Sequence, residues 1–328
     1  MTSFDTGWKA GQQGPMVDEG PARRESRKAR GGIIPGTAGQ TAFSLALREP
    51  APVPILIAVP HAGRAYPGEF AGLMRNQAAA SLRLEDRFAD LVAEAVARET
   101  GAGLLIAHAP RAMIDLNRAP DDVDWDMVAG GQPEPRVRLA AGRRARSGLG
   151  LVPRRLPGLG ELWKRRMTRD ELVGRVEQVH EPYHAALSGG LEMLRDRWGA
   201  ALLIDLHSMP PLGPKRGADA APDFVIGDRF GASCDGSLSA AALDHLAQAG
   251  CRAAHNRPYA GGYVLDRHAV PARGVHAMQV EICRSAYLDS RLREPGPGLA
   301  GVARVLTGLV RRMAEELAAG RRLPQAAE

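Results

Sequence analysis

Apolar residues along this chain fall into two kinds of run. Short, nearly unbroken ones, mostly rich in β-branched residues, occupy residues 53–59 (VPILIAV), 103–108 (GLLIAH), 202–209 (LLIDLHSM), 224–227 (FVIG) and 275–282 (VHAMQVEI). That pattern predicts strands covered on both faces. Over residues 81–100, 170–198, 237–249 and 298–319 the apolar positions instead recur every three or four residues, which predicts helices. Strands alternating with helices give an α/β fold: a single three-layer domain with a mixed, mostly parallel central sheet flanked by helices. Residues 1–40 carry Gly, Arg, Gln and Pro without an apolar period and predict a disordered tail, removable without loss of function, ahead of a domain at 41–322. Residues 129–150 predict a flexible loop of the kind that forms lids.

The ends of the predicted strands carry the polar chemistry. His61 follows the first, Asp205-Leu206-His207-Ser208 closes the third, Glu281 stands near the end of the last, and Arg111, Asp115, Asn117 and Arg118 follow the second. In open α/β sheets ligands bind beyond the carboxyl ends of the strands. The candidate set is therefore His61, His207, Glu281, a carboxylate from Glu85 or Asp86, and the two arginines. Two imidazoles and one carboxylate are a common zinc set that leaves a position open for water. A further carboxylate would take that water's proton, while arginines would grip a substrate carboxylate and polarise a carbonyl. Together these suffice for amide hydrolysis at an N-acyl amino acid. The His180-Glu181-Pro182-Tyr183-His184 string looks like a second ligand cluster, but Pro182 interrupts its helix and both histidines are read as packing or surface residues.

Composition narrows the picture. The 328 residues, 45% of them hydrophobic, are ample for one large core. The net charge of +6 concentrates in residues 23–30 and 136–166, read as solvated arginine-rich faces that steer small anions; no nucleic-acid partner is expected. No apolar stretch reaches the roughly eighteen residues of a membrane span, and the N-terminus lacks a signal-peptide series, so a cytoplasmic protein without membrane contact is expected. Cys234, Cys251 and Cys283 form no CxxC and suggest neither a disulfide framework nor a thiolate zinc site. Oligomeric state is not legible.

Five strings in order, Pro60-His61-Ala62-Gly63 with Tyr66-Pro67, Asp115-Leu116-Asn117-Arg118, Asp205-Leu206-His207-Ser208-Met209, Asn256-Arg257-Pro258-Tyr259-Ala260-Gly261-Gly262 and Gln279-Val280-Glu281-Ile282 with Arg284, resemble the motifs of the N-formylglutamate amidohydrolase family. That family is similar in turn to zinc carboxypeptidases and aspartoacylases. The resemblance implies a zinc-exopeptidase-type (phosphorylase/hydrolase-like) domain that binds zinc or another divalent metal and cleaves N-formyl-L-glutamate to formate and a free amino acid. It implies His61 and His207 as ligands, Glu281 as general base, Asn117 and Arg118 at the substrate α-carboxylate, Arg111 on the carbonyl, and Tyr259 and Arg284 as further substrate contacts. One departure matters: Arg64 stands where carboxypeptidases carry a ligand Glu, three residues after the first His. The third ligand must come from elsewhere, with Asp86 preferred, Glu85 behind it, and Asp205 as a partner to a ligand histidine. Selectivity for glutamate requires a second cation, and Arg257, Arg267 and Arg284 all remain open. The alternatives are a deacylase or exopeptidase with a larger acyl pocket, and a metal-free basic binding protein on the same fold.

Overall fold

The five apolar runs become five neighbouring strands at the centre of one sheet. The computed structural model describes residues 26–130, 143–215, 217 and 220–320. Its strands are β1 (Ser26–Gly31), β2 (Phe43–Arg48), β3 (Ile55–Val59), β4 (Gly103–Ala107), β5 (Arg155–Leu156), β6 (Gly160–Glu161), β7 (Ala201–Met209), β8 (Phe224–Gly227), β9 (Ala253–His255) and β10 (Val275–Cys283). Its helices are α1 (Gly68–Leu73), α2 (Gln77–Leu84), α3 (Ala89–Thr100), α4 (Arg143–Arg146), α5 (Arg169–Arg175), α6 (Glu181–Trp198), α7 (Gly236–Gln248), α8 (Tyr263–His268) and α9 (Leu299–Gly320). Eight strands form the main sheet in the order β1-β2-β4-β3-β7-β10-β8-β9, and β5 with β6 makes a separate hairpin. β4, β3, β7 and β10 run parallel; β2 and β8 join them antiparallel.

Strand alternation sorts the core into two layers. Leu202, Ile204 and Leu206 of β7 and Met278, Val280 and Ile282 of β10 face a cluster built with α3, α7 and α9. Leu203 and Ala277 face the other cluster, which packs α6 and the apolar residues of the 109–167 segment. β10 lies beside β7 with Gln279 opposite Asp205 and Glu281 opposite His207. The face that is apolar at the start of both strands therefore turns polar at their carboxyl ends. Among the described residues no helix is long and apolar enough to cross a membrane.

Four expectations change. The expected tail boundary at residue 40 falls inside the fold, because β1 pairs along its whole length with β2 and Ile34 is fully buried in the core layer that packs α6; residues 1–25 lie outside the described residues. The expected helix over 81–100 is two helices, α2 and α3, separated by residues 85–88. Glu85 is extended, Phe88 adopts a left-handed backbone (φ 59°), and the Asp86 N–H donates to the His61 carbonyl. The helix over 170–198 is continuous but contains a π turn at Val176–His180, and the Gln178 carbonyl, which Pro182 has no N–H to serve, accepts the Ile33 N–H at 2.9 Å. Of the expected loop over 129–150, residues 131–142 lie outside the described residues, and 143–146 form α4.

Replacing Ile34 by Ala removes a fully buried side chain and should cost roughly 2–5 kcal/mol of folding stability, as a large isoleucine truncation in a packed core does. Denaturant titration checks this; an unchanged midpoint would mean the segment before β2 is not part of the cooperative core.

Candidate active site

Each functional side chain leaves a strand end or the turn beside one. His61 stands two residues beyond β3, in a turn that can pass close to its neighbour only because residue 63 is Gly: a Cβ there would collide with the Ala109 carbonyl. His207 and Asp205 alternate on β7, and Glu281 and Gln279 sit in register beside them on β10. Asp86 comes from the break between α2 and α3. His61, Asp86 and His207 are all buried, and their ligand-type atoms lie within 4.8 Å of one another.

The orientation of the two rings is fixed from behind. His61 Nε2 is 2.7 Å from Asp115 Oδ1, and His207 Nε2 is 2.9 Å from Asp205 Oδ2. Both Nδ1 atoms consequently face Asp86 Oδ2, at 3.4 Å from His61 and 3.0 Å from His207. Burial would push the Asp86 carboxyl up, but the hydrogen bonds and charges of the two histidines overcome it and hold Asp86 well below the usual carboxylate range. Burial pulls the other way on His207, yet Asp205 and Asp86 raise it well above the ordinary imidazole value. His61 Nδ1 is buried without a hydrogen-bond partner. Two imidazole nitrogens and a carboxylate oxygen converging on one point, each histidine backed by a carboxylate, fit a divalent cation: it would satisfy the orphaned nitrogen and take the place of the extra proton on His207.

Asp115 organises the second wall. Its Oδ1 also accepts the Asn117 backbone N–H at 2.9 Å, and its Oδ2 accepts Arg111 Nε at 3.0 Å and Nη2 at 2.9 Å. Burial alone would raise the Asp115 carboxyl, but Arg111, His61 and Arg118 together hold it well below its ordinary value. Asn117 accepts the Val264 N–H at the start of α8 through Oδ1, and only Gly at 262 fits there, since a Cβ would come within 2.5 Å of that oxygen. Arg118 donates to the carbonyls of Leu149 and Asn117. His180 and His184 are not members of the triad. They pack behind this wall, with His180 Nε2 2.9 Å from the Arg118 carbonyl and His184 Nε2 3.0 Å from that of Leu116.

Glu281, buried beside His207, accepts a 2.8 Å hydrogen bond from Gln279 Nε2. Burial pushes its carboxyl up to about 7, with His207 opposing and Asp86 adding to the shift. The triad, Glu281, Asn117, Arg111 and Arg118 all border one cavity of about 210 Å³, which Tyr259, Gly261 and Gly262 also line.

Other expectations resolve differently. Glu85 turns away from the triad to Arg87, at 2.8 Å, leaving Asp86 as the carboxylate of the cluster. Arg64 pairs with Asp90 through two hydrogen bonds and lies over the Phe88 ring, so the position of the missing Glu holds the 85–88 turn instead. Arg284 borders the cavity, but its guanidinium is engaged elsewhere: Nε on Ser208 Oγ, Nη1 on the Leu82 carbonyl and Nη2 on the Glu85 carbonyl. It caps the end of α2, and through Ser208, which donates to Asp86 Oδ1 at 2.9 Å, it aims the third triad member. Arg257 and Arg267 do not border the cavity; Arg267 donates to Tyr263 Oη. Sequence reasoning missed Gln279, which strand alternation two residues before Glu281 could have found, and the long-range task of Asp115, for which no local signal exists.

A small polar cavity with these groups at the carboxyl ends of an α/β sheet is an enzyme site, and comparison with known proteins gives its class. A model of the N-formylglutamate amidohydrolase family matches residues 53–288. An N-formylglutamate deformylase of Pseudomonas aeruginosa is 31% identical over 272 residues, covering 81% of this chain and 93% of that protein. Another, from Pseudomonas putida, is 33% identical over 256 residues, covering 72% and 82%. The crystal structure of N-formylglutamate amidohydrolase from Ralstonia eutropha JMP134 superposes with a TM-score of 0.75 at 34% identity, over 85% of this chain and 99% of that one. The protein is an amidohydrolase acting on a linear amide. It belongs to the N-formylglutamate amidohydrolase family.

Asp115→Asn and Asp205→Asn should each weaken divalent-metal affinity by about 10–100-fold, the usual effect of removing a carboxylate behind a ligand histidine. Competition against a chromogenic chelator measures this; unchanged affinity in both variants would mean the Nδ1 atoms do not serve as ligands.

Proposed function

We propose that this protein hydrolyses the formamide bond of N-formyl-L-glutamate, or a closely related N-formyl amino acid, to formate and the free amino acid, in the cytoplasm and with a divalent metal, zinc in the first instance. The observation that carries the reading is the convergence of His61 Nδ1, His207 Nδ1 and Asp86 Oδ2 beside a carboxylate, Glu281, that burial brings to about 7. The names of the similar deformylases support the substrate class. The cavity supports a small acyl group: about 210 Å³ falls below the roughly 300–1,000 Å³ of pockets for drug-sized ligands, which disfavours a peptidase.

In this reading His61, Asp86 and His207 hold the cation, which when bound supplies the positive charge that acidifies a water and polarises the formyl oxygen. Glu281 takes a proton from the attacking water as its oxygen bonds to the formyl carbon, and delivers it to the amine nitrogen as the C–N bond breaks. Gln279 holds Glu281 in position. Arg111, fixed by Asp115, reaches the carbonyl oxygen with its remaining Nη1, where negative charge develops. Asn117 Nδ2 and Arg118 receive the α-carboxylate, and Tyr259 lines the same cavity.

Glu281→Gln should keep its metal and lose kcat by about 10²–10⁴-fold, the range for removal of a general base. Formate-release assays with parallel metal analysis test this, and a variant that stays active would remove Glu281 from the role. Because Glu281 works only as a carboxylate, kcat/KM should fall as pH drops through its pKa. Metal charge lowers that value in the loaded enzyme, so the acid limb should lie at or below about 7; a limb above it would assign the titration to another group. Arg118→Ala should raise KM for N-formyl-L-glutamate about 10–100-fold, the loss of a charge-assisted hydrogen bond, with a smaller effect on kcat. Initial-rate kinetics decide, and an unchanged KM would remove Arg118 from the carboxylate site.

A further inference from the structure

We infer that Arg83 is the residue that selects the second, side-chain carboxylate of the substrate. The inference rests on the proposed N-formyl amino acid hydrolysis and names the specificity determinant of that same cavity. Among the described residues four arginines border it: Arg83, Arg111, Arg118 and Arg284. Arg111 has two donors on Asp115, Arg118 is drawn to the Leu149 and Asn117 carbonyls on the Asn117 wall, and Arg284 has three donors on Ser208, Leu82 and Glu85. Arg83 is different. It is exposed at the cavity rim and, among the described residues, makes one hydrogen bond, Nη2 to the Pro157 carbonyl at 3.2 Å, which leaves Nε and Nη1 to donate to a ligand.

Its placement is also firm. Arg83 occupies the last turn of α2, whose terminal carbonyls Leu82 and Glu85 are both clamped by Arg284, and its tip is tethered to the β5–β6 hairpin loop through Pro157. Root and tip are fixed, so little side-chain freedom is lost when a carboxylate binds. Arg83 is three residues ahead of Asp86, at the cavity wall supplied by α2, whereas Asn117 and Arg118 come from the Asp115 loop. A dicarboxylic N-formyl amino acid with its formyl group at the triad and its α-carboxylate at Asn117 and Arg118 then has, among the described residues, one rim cation left for its side chain. A planar guanidinium with adjacent N–H groups suits that anion.

The test is the ratio of kcat/KM for N-formyl-L-glutamate over N-formyl-L-glutamine, a neutral isostere, in wild type, Arg83→Met and Arg83→Lys. Wild type should prefer the glutamate compound. Arg83→Met should lower kcat/KM for it by about 10–100-fold, as loss of a hydrogen bond to a charged group does, and change the glutamine compound less than about threefold. Arg83→Lys should retain an intermediate preference, since the charge stays and the fork is lost. An equal loss on both compounds, an unchanged ratio, or a wild type without preference would overturn the assignment of Arg83 while leaving formamide hydrolysis intact. Failure of wild type to release formate from either compound would instead overturn the parent reading, and the assignment with it.

Discussion

The site depends on which nitrogen each histidine turns toward the cavity, and two buried carboxylates make that choice. Asp115 and Asp205 bind the Nε2 atoms of His61 and His207, so the Nδ1 atoms are left to converge on Asp86. Burying three carboxylates around one pair of imidazoles, Asp86 between the rings and Asp115 and Asp205 behind them, is unfavourable unless positive charge or hydrogen bonds compensate. Asp115 is compensated by Arg111 and the Asn117 N–H. Asp205 is compensated on one oxygen only: its Oδ1 is buried and unpartnered, as is the hydroxyl of Tyr183. The unpartnered Asp205 Oδ1 behind one histidine and the unpartnered Nδ1 of the other are polar atoms that the fold leaves unsatisfied at a cluster able to hold a cation.

Around that centre, side chains that resemble substrate or metal contacts in sequence serve to hold backbone. Arg284 fixes the break between α2 and α3, and the His180–His184–His268 group fixes the Asp115 loop. His184 Nε2 donates to the Leu116 carbonyl, so its Nδ1 accepts from His268 Nε2 at 2.9 Å. Burial, joined by neighbouring histidines and Arg267, pulls His184 down to about 2, and burial with Arg267 and His180 pulls His268 to about 3. Both are therefore neutral at physiological pH, and this tautomer chain persists. The Asp115 loop is thus anchored from behind by groups that carry no charge into the cavity.

How much of this could be read in the sequence depends on the range of each contact. The central five strands were legible because an unbroken apolar run has few other solutions, and their polar ends exposed His61, His207 and Glu281 directly. The 85–88 break was not legible: Leu82, Phe88, Leu91 and Val92 keep helical spacing across it, and what stops the helix is Arg284, about two hundred residues away. β1 was hidden because Ser26–Gly31 has no apolar period and is ordered by pairing with β2. Arg83 was invisible for the same reason, since its position at the rim follows from where α2 ends.

The most direct test of the account is formate release by purified protein from N-formyl-L-glutamate and N-acetyl-L-glutamate, before and after chelation and after zinc is restored. The account requires turnover of the formyl compound that is lost on chelation and recovered with stoichiometric zinc, and little turnover of the acetyl compound. Turnover that survives complete removal of metal would contradict the role assigned to His61, Asp86 and His207.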